Sequence, residues 1–450
     1  MGTTAGDVTE RAAGEVVELL SQLIGNACVN DGTPESGHEH RSAAVLAAYL
    51  EGAGLDFQRY QSRPGRESLV ARIEGSDPAA PSLLLMGHTD VVPVTPAGWS
   101  RDPFGGEVVD GEVWGRGAVD MLNLTASMAV ATKELARSGF RPRGTLILAA
   151  VADEEALGTW GAAHLLAEEA EAVRADYVLT EAGGFQVASE AGPRLPVMVA
   201  EKGSYWCSVR VAGTPGHASQ PFRTDNALIT AAEVIRRLAD YRPRTVISEW
   251  WRDFVEGVFP GELATALSDE VHLVELCHQL PVGLGRIAHA CTHNTLAPTI
   301  IRGGTKTNVI PDEVVIDLDI RTLPGQRGAD IERMLDDALG DLRAAVTITV
   351  SEDNPSTASP VTGPLWDTLG RVSAGLVAGS ALVPFLSVGA TDARFFRRDG
   401  SVAYGFGLFS ARLSFEDYAA MFHGNDERVD IDSLRLSTGL WQAVAGDLLG

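Results

Sequence analysis

Three short apolar runs limit the possible folds of this chain of 450 residues more than any other feature of its sequence. Each run has the length of a buried strand, and each is followed by side chains that bind metals or protons. The runs cover 83–86, 145–152 and 177–180, and the side chains that follow them are His88, Asp90, Asp153, Glu154, Glu155 and Glu181. Short apolar runs indicate strands of a sheet that is covered on both faces. Because open α/β sheets bind ligands at the carboxyl ends of their strands, we expect a functional site there.

His88 and Asp90 are the first candidates for this site. They lie two residues apart in the segment GHTDVVP, residues 87–93. A neutral imidazole can bind a metal while its other nitrogen donates to a carboxylate, which fixes the tautomer. We therefore predict that His88 is a ligand and that Asp90 orients it. A histidine that merely satisfies a turn explains this short motif equally well.

The acidic residues have ordinary alternatives when each is taken alone. Asp120 precedes a helical segment of small residues, where an N-cap is its usual role. Asp153, Glu154 and Glu155 are adjacent, so a cation or solvent must offset their mutual repulsion. Acids at the start of a helix also suit its dipole. The repetition of acids after successive strands, with Glu181 after the third, favours one shared site.

Five stretches, 87–93, 114–120, 153–155, 181–184 and 423–427, resemble the motifs of the co-catalytic zinc family that includes aminoacylases, acetylornithine deacetylase, succinyl-diaminopimelate desuccinylase and glutamate carboxypeptidase. The resemblance implies that Asp120 bridges two zinc ions. It implies His88 and Glu181 as further ligands of one ion, and Glu155 and His423 as further ligands of the other.

The same resemblance leaves Glu154 free as the general base. Catalytic zinc sites bind nitrogen and oxygen ligands and keep one position for water. A metal-bound water still needs a base that takes its proton and passes it to the leaving amine. We expect two Zn²⁺ per chain, which Co²⁺ or Mn²⁺ could replace in such oxygen-rich sites.

Substrate recognition is predicted from four further residues, Arg321, Asn308, Gly389 and Thr391. A guanidinium can grip a carboxylate at two points, but Arg321 could instead pair with Asp319 or Asp317, and Gly389 could merely turn the chain. Together with the family resemblance, these residues predict hydrolysis of the amide bond in N-acyl amino acids or small peptides that carry a free carboxylate. Deacylases and carboxypeptidases or dipeptidases share these residues and differ in what flanks the scissile amide.

The predicted fold class is α/β. We expect a zinc-peptidase-like catalytic domain with a mostly parallel sheet, formed by residues 1–202 and 354–450. An inserted domain, residues 203–353, has the order strand, helix, strand, strand, helix, strand, which is typical of a ferredoxin-like α+β fold. The resemblance makes this insert a lid and dimerisation domain.

His217, in the segment GTPGHASQP at 213–221, follows the first strand of the predicted lid. Its local sequence favours a turn histidine near the start of a helix. The resemblance instead implies that it reaches into the active site of a partner protomer and stabilises the oxyanion there. We therefore expect a homodimer joined through the lids, with His217 as a catalytic residue.

Two other clusters are interpreted as structural. The aromatic residues Trp250, Trp251, Phe254 and Phe259 lie within 241–287; we favour core packing for them, with an acyl pocket as the alternative. The histidines and the acid of residues 38–40 form a short loop cluster that we interpret as solvated.

Composition limits the remaining possibilities. A net charge of −24 argues against nucleic-acid binding, which needs clustered Lys and Arg. No run reaches the roughly 18 apolar residues of a membrane span, and residues 1–13 have no apolar stretch of the kind found in signal peptides. The four cysteines are far apart and are expected to be reduced and mostly buried in a cytoplasmic protein.

Two other functions fit the sequence less well than hydrolysis at a metal site. A binding or scaffold protein could use the same fold with a degraded site, but every expected ligand position holds a competent residue. A serine hydrolase is disfavoured because the sequence contains no Gly-x-Ser-x-Gly motif.

Overall fold

A computed structural model describes the chain over residues 5–450, with side chains from residue 11 onward. The prediction about a signal peptide therefore lies partly outside the described residues. The helices are α1 (Ala5–Gly25), α2 (His40–Leu50), α3 (Leu122–Arg137), α4 (Ala162–Glu168), α5 (Ala170–Val173), α6 (Ala227–Asp240), α7 (Glu249–Val258), α8 (Gly261–Leu267), α9 (Leu273–Gln279), α10 (Val282–Thr292), α11 (Gly328–Leu339), α12 (Pro364–Leu376), α13 (Ala393–Asp399), α14 (Phe415–Met421) and α15 (Ile431–Leu449).

The strands alternate with these helices along most of the chain. They are β1 (Asp56–Arg63), β2 (Arg66–Ile73), β3 (Leu83–His88), β4 (Glu107–Val109), β5 (Glu112–Trp114), β6 (Leu146–Val151), β7 (Tyr177–Thr180), β8 (Arg194–Glu201), β9 (Gly203–Ala212), β10 (Gly216–His217), β11 (Thr295–Gly303), β12 (Val309–Ile310), β13 (Glu313–Thr322), β14 (Val346–Asn354), β15 (Thr357–Ala358), β16 (Ala381–Ser387), β17 (Val402–Gly405) and β18 (Arg428–Asp430).

The central sheet has nine strands in the order β1-β2-β6-β3-β7-β17-β8-β15, with β16 paired to β8. Its middle is parallel, since β3 pairs in parallel with both β6 and β7, and β17 pairs in parallel with β7. All residues of β3 are buried. Leu83 and Leu85 belong to the apolar core on one face of the sheet, and Leu84 and Met86 to the core on the other face. The predicted α/β fold with a mostly parallel sheet is therefore confirmed.

A second sheet of four strands follows the order β11-β13-β9-β14. With α6 and α11 between its strands, this is the predicted ferredoxin-like order. Burial alternates along β13, and its buried positions pack against both helices in a separate apolar core. The exact boundaries of the inserted segment, 203 and 353, stay a prediction.

The helices α7 to α10 form an insertion between α6 and β11 that packs against the central sheet. Trp251 is buried and donates its indole N–H to the carbonyl of Leu267 at 2.9 Å. The ring of Phe254 lies 4.6 Å from that of Phe385 on β16. The rings of Trp250 and Phe259 pack partly buried against the same core. Core packing is thus the role of this aromatic segment.

Two further findings concern the described part of the chain. No helix within residues 5–450 combines the length and the apolar character that crossing a membrane requires. All four cysteines are free thiols; three are buried and Cys277 is partly exposed.

Candidate metal centre

The structure brings seven predicted residues to one edge of the central sheet. Because β3, β6 and β7 run in parallel, the segments that follow them meet at their carboxyl ends. Two other segments reach the same place, one just before α3 and one just after α14. The residues that these segments contribute are His88, Asp90, Asp120, Glu154, Glu155, Glu181 and His423.

The carboxylate of Asp120 lies between two histidines. Its Oδ1 is 3.1 Å from Nε2 of His88, and its Oδ2 is 3.0 Å from Nε2 of His423. Around this pair, Glu181 Oε2 lies 3.8 Å from Nε2 of His88, and Glu155 Oε2 lies 3.2 Å from Nε2 of His423. Each carboxylate oxygen of Asp120 thus faces a different histidine, as a bridging carboxylate requires.

The spacing of these atoms fits metal ions. Zinc bonds to nitrogen and oxygen are about 2.0 to 2.2 Å long, so tetrahedral ligand atoms of one ion lie about 3.3 Å apart. Candidate ligand atoms fall within 4.8 Å of one another in two sets, one of His88, Asp120 and Glu155 and one of His88, Glu154 and Glu181. Glu155 Oε1 is also buried without a hydrogen-bond partner among the described residues. These sets share His88 and include Glu154, whereas the expected division assigns His88 to one ion and leaves Glu154 unbound.

Electrostatics at the site also call for a cation. Burial, together with the charge of Glu181, raises the pKa of Glu154 well above its usual value, and burial with the charge of Asp120 raises that of Glu155 to about 7. Hydrogen bonds to Asp120 and Glu155 raise the pKa of His423 to about 10. Burial alone would raise the pKa of Asp120, but hydrogen bonds from the two histidines outweigh it and hold that pKa below its usual range. A divalent cation would meet the same need for positive charge.

Asp90 lies closer to His88 with its main chain than with its carboxylate. Nδ1 of His88 lies 2.9 Å from the main-chain carbonyl oxygen of Asp90, and the carboxylate Oδ1 is farther away at 3.6 Å. The carbonyl is therefore the closer orienting group. The Asp90 carboxylate instead accepts the backbone N–H groups of Glu154 at 3.2 Å and Glu155 at 3.1 Å. It fixes the turn that carries both glutamates.

Asp120 is not a helix cap. The helix α3 begins at Leu122, its N-cap position is Met121, and no side chain caps it. The loop of Asp120 is held instead by Glu427, which is fully buried. The Glu427 carboxylate accepts the backbone N–H of Asp120 at 2.9 Å and the guanidinium of Arg116 at 2.8 Å. Sequence reasoning missed Glu427, although it ends the stretch 423–427 that carries the family resemblance.

A buried polar network behind Asp90 was also missed. Asn30 donates to the Asp90 carboxylate at 2.8 Å and accepts from Arg66 at 3.0 Å. Arg66 forms ion pairs with Glu39 and, at 3.5 Å, with Asp153. Since Glu39 is fully buried, the interpretation of 38–40 as a solvated cluster is wrong for its acid.

A cavity of about 470 Å³ opens beside these carboxylates and contains three predicted substrate residues. Arg321 lines it and pairs with Asp319 at 2.8 and 3.1 Å, so the pairing that we considered as an alternative is present. Gly389 and Thr391 line it as well, and the backbone N–H of Thr391 donates to Glu201 at 2.8 Å. Arg394, which sequence reasoning missed, adds a second guanidinium to the lining.

The rest of the cavity wall is largely apolar and aromatic. It includes Phe185, Met198, Ile287, Phe385, Phe415, Tyr418 and Phe422. The four aromatic residues of 250–259 do not belong to its described lining, although Phe254 supports Phe385 from behind.

His217 and Asn308 lie together but apart from this cavity. His217 on β10 pairs with Val309 on β12, and the backbone N–H of Ala218 donates to the carbonyl of Asn308 at 3.0 Å. Both side chains are exposed, and neither is among the described residues that line the cavity. Within one chain, the structure does not bring them to the metal ligands.

Comparison with known proteins agrees with this site. The chain is 28% identical over 448 residues to the N-fatty-acyl-amino acid synthase/hydrolase PM20D1 of Xenopus tropicalis, covering 95% of this chain and 85% of the relative. It is 28% identical over 425 residues to a succinyl-diaminopimelate desuccinylase of Cereibacter sphaeroides, covering 92% and 94%. Its fold matches that of an M20 family metallo-carboxypeptidase from Sulfolobus solfataricus with a TM-score of 0.73 and 18% identity, covering 97% and 99%.

The family model described as peptidase family M20/M25/M40 matches residues 84–447, which include all the residues gathered at the candidate metal centre. This match spans far more than half of the chain. The chain is therefore a member of peptidase family M20/M25/M40, a family of metal-dependent hydrolases.

Proposed function

We propose that the protein hydrolyses the amide bond of N-acyl amino acids or small peptides that carry a free carboxylate. The observation that carries this proposal is the position of Asp120, with one carboxylate oxygen about 3 Å from each of two histidines. Such an arrangement suits two metal ions held side by side, and paired metals are suited to hydrolytic chemistry.

Five side chains would hold two Zn²⁺ ions: Asp120 between them, His88 and Glu181 on one side, and Glu155 and His423 on the other. Bound there, the ions supply Lewis acidity for the scissile carbonyl and lower the pKa of a water molecule. Glu154 takes the proton from the attacking water and donates it to the nitrogen of the leaving amine. Burial raises the pKa of Glu154, which makes this carboxylate a stronger base.

Arg321 would bind the free carboxylate of the substrate. Arg321 lines the cavity together with Gly389 and Thr391. Asp319 accepts two hydrogen bonds from the guanidinium and thereby fixes its orientation. Five N–H donors allow a guanidinium to pair with one carboxylate while another approaches. Asn308 would contribute to this recognition only if it reached the cavity from a partner chain, as we propose for His217.

The apolar wall would hold the acyl group. Aromatic and aliphatic side chains such as Phe185, Phe385 and Phe415 stabilise a bulky apolar acyl chain better than a charged succinyl group. One relative is named for N-fatty-acyl amino acids and another for a succinyl substrate. The composition of this wall favours the first type.

A homodimer joined through the lid domains would bring His217 and Asn308, which lie outside the active cavity of their own chain, to the cavity of a partner. In such a dimer, His217 of one protomer would donate a hydrogen bond to the oxyanion that forms in the active site of its partner.

Substrate assays test the proposed function. We expect the zinc-loaded enzyme to hydrolyse N-acyl amino acids with apolar acyl groups and to hydrolyse their carboxamide counterparts much more slowly. Arg321→Ala should raise KM for the acids and remove this preference, whereas Arg302→Ala, which breaks a surface pair with Asp317, should not. Equal rates on acids and carboxamides would show that Arg321 does not recognise a carboxylate of the substrate. If none of these amides were hydrolysed, the proposed function would be overturned.

A further inference from the structure

A second cavity, of about 630 Å³, lies between the end of α6 and the helices α9 and α10. Its described lining shares no residue with the cavity at the metal centre. Small-molecule sites in proteins usually occupy roughly 300 to 1,000 Å³. The second cavity is therefore large enough for a small ligand and is separate from the active cavity.

The lining of this cavity differs in charge from the rest of the protein. The chain carries a net charge of −24, yet none of the described residues that line this cavity is acidic. The polar side chains around it include Arg242, Arg286, His278 and His289. Two arginines without an acidic residue beside them in the lining favour an anionic ligand.

The two arginines are available to such a ligand. Among the described side chains, neither Arg242 nor Arg286 forms an ion pair with an acid. Arg242 donates to the carbonyls of Ala239 at 3.0 Å and Tyr241 at 3.1 Å, which hold it at the end of α6 while its other N–H groups stay free. A fixed guanidinium loses little freedom when it binds a carboxylate at two points.

Much of the remaining wall is apolar, although Asn294 and Thr295 also line the cavity. It includes Leu238, Val274, Leu280, Val282 and Leu296, which lie beside the basic groups. His289 stacks on His293 with ring centres 4.2 Å apart, and burial lowers the pKa of His289 to about 4. At pH 7 its neutral ring adds a hydrogen-bond donor and an acceptor without adding charge.

We propose that this second cavity binds a monocarboxylate with an apolar tail, with the carboxylate at Arg242 and Arg286 and the tail along the leucine and valine side chains. An inorganic anion would leave the apolar wall unused, and a neutral lipid would leave the guanidinium groups unpaired. The helix α10 separates this cavity from the active one, since Ile287 lines the active cavity while Arg286 and His289 line the second.

Calorimetric titration of the zinc-loaded protein with octanoate tests the proposal. Because octanoate can also enter the active cavity, the comparison is with the double variant Arg242→Ala/Arg286→Ala, in which that cavity is unchanged. We expect wild type to show a binding event that the double variant weakens at least about ten-fold, equivalent to about 1.4 kcal/mol. Arg242→Lys/Arg286→Lys should retain most of this event, and octanamide and inorganic phosphate should not produce it.

Hydrolytic activity of the double variant provides the control for folding, because neither arginine belongs to the metal centre. It should equal that of wild type. Octanoate binding that is the same in wild type and in an active double variant would overturn the proposal, whatever the outcome of the substrate assays. If the double variant loses activity, the single variant Arg286→Ala replaces it. The Arg286 side chain donates no hydrogen bond to another described residue, so its removal should leave the fold unchanged.

Discussion

The carboxylate of Glu427 accepts a hydrogen bond of 2.9 Å from the backbone N–H of Asp120, although 307 positions separate the two residues. The other contacts of this carboxylate lie in the same loop, at the backbone N–H groups of Gly117 and Val119 and at Arg116. Glu427 itself closes the loop that carries His423. One buried side chain thus couples the two segments that supply the bridging acid and the last histidine.

We therefore predict that Glu427→Gln weakens metal binding. Both oxygens of Glu427 accept two N–H groups each, so an amide nitrogen in place of either oxygen would face two donors and lose both bonds. Loss of groups that orient metal ligands commonly costs about 10- to 100-fold in metal affinity. Zinc titration against a competing chelator measures the change. Glu107→Gln, which alters a surface pair with Arg101, is the control and should bind zinc as wild type does.

Glu154 and Glu155 should respond differently to the same substitution. Glu154→Gln removes the proposed base and should lower kcat about 100- to 10,000-fold while zinc content stays the same. Glu155→Gln removes a proposed ligand and should lower zinc content. Zinc analysis by mass spectrometry, together with kcat at saturating zinc, separates the two effects. If both variants lose equal amounts of zinc, the roles assigned to the two glutamates are wrong.

The elements that hold the ligands could be predicted from the sequence because their signal is local. The run Leu83–Met86 is apolar without interruption, and β3 forms there with both faces covered. The ferredoxin-like order of β9, α6, β13 and α11 could likewise be predicted, because the spacing of apolar residues changes between each strand and the helix that follows it. His88, Glu154, Glu155 and Glu181 were found because they follow such runs closely, whereas Asp120 and His423 were found from the family resemblance.

The residues that support the ligands could not be predicted in the same way. Glu427 and Asn30 act through backbone N–H groups and side chains that are distant in sequence, and no periodic pattern marks such contacts. Glu39 looked solvated because it lies between two histidines in a loop, but the distant Arg66 compensates its charge inside the protein. Likewise, the carbonyl of Asp90 orients His88 more closely than its carboxylate does, and side-chain identity cannot reveal a main-chain contact.

Asn30 provides a test of this support. Asn30→Leu keeps the volume but removes the donor to Asp90 and the acceptor for Arg66. Because Asp90 fixes the turn of Glu154 and Glu155, we expect kcat to fall about ten-fold or more, with a smaller change in KM. Steady-state kinetics and thermal unfolding measure both consequences. Asn26→Leu, which removes a hydrogen bond to Ser42, serves as control; an equal loss of kcat there would contradict a specific role for Asn30.

Lys202 should make stability depend on pH. It is buried, donates to the carbonyls of Ala290 and His293, and burial lowers its pKa to about 7. An unfolded lysine has a pKa of about 10.4. Between these values the unfolded state holds more protons, so this group makes the free energy of unfolding rise with pH from about 7 to about 10.4.

Lys202→Met should therefore flatten the rise in the free energy of unfolding over this pH range. Denaturant titrations at pH 7, 8 and 9 measure the slope in wild type and variant. Lys306→Met replaces an exposed lysine and should keep the wild-type slope. A Lys202→Met slope equal to that of wild type would show that Lys202 stays protonated in the folded protein.

The role of His217 gives the last prediction. Its side chain is exposed, its Nδ1 lies 2.7 Å from the hydroxyl oxygen of Ser219, and the described lining of the active cavity does not include it. If it stabilises the oxyanion of a partner protomer, His217→Ala should lower kcat by the equivalent of about 2.7 to 4 kcal/mol and leave zinc content unchanged. His278→Ala, at another exposed histidine outside this cavity, should keep the wild-type kcat.

A mixed dimer decides whether this action is between chains. In a purified heterodimer of one His217→Ala chain and one Glu154→Gln chain, one active site combines the intact Glu154 with the intact His217 of the other chain. The second site lacks both groups. We therefore expect about half of the wild-type activity per dimer, by counting complete sites in a two-fold symmetric assembly. If His217 acts within its own chain, each site of the heterodimer lacks one group and the activity stays as low as in the two parent variants.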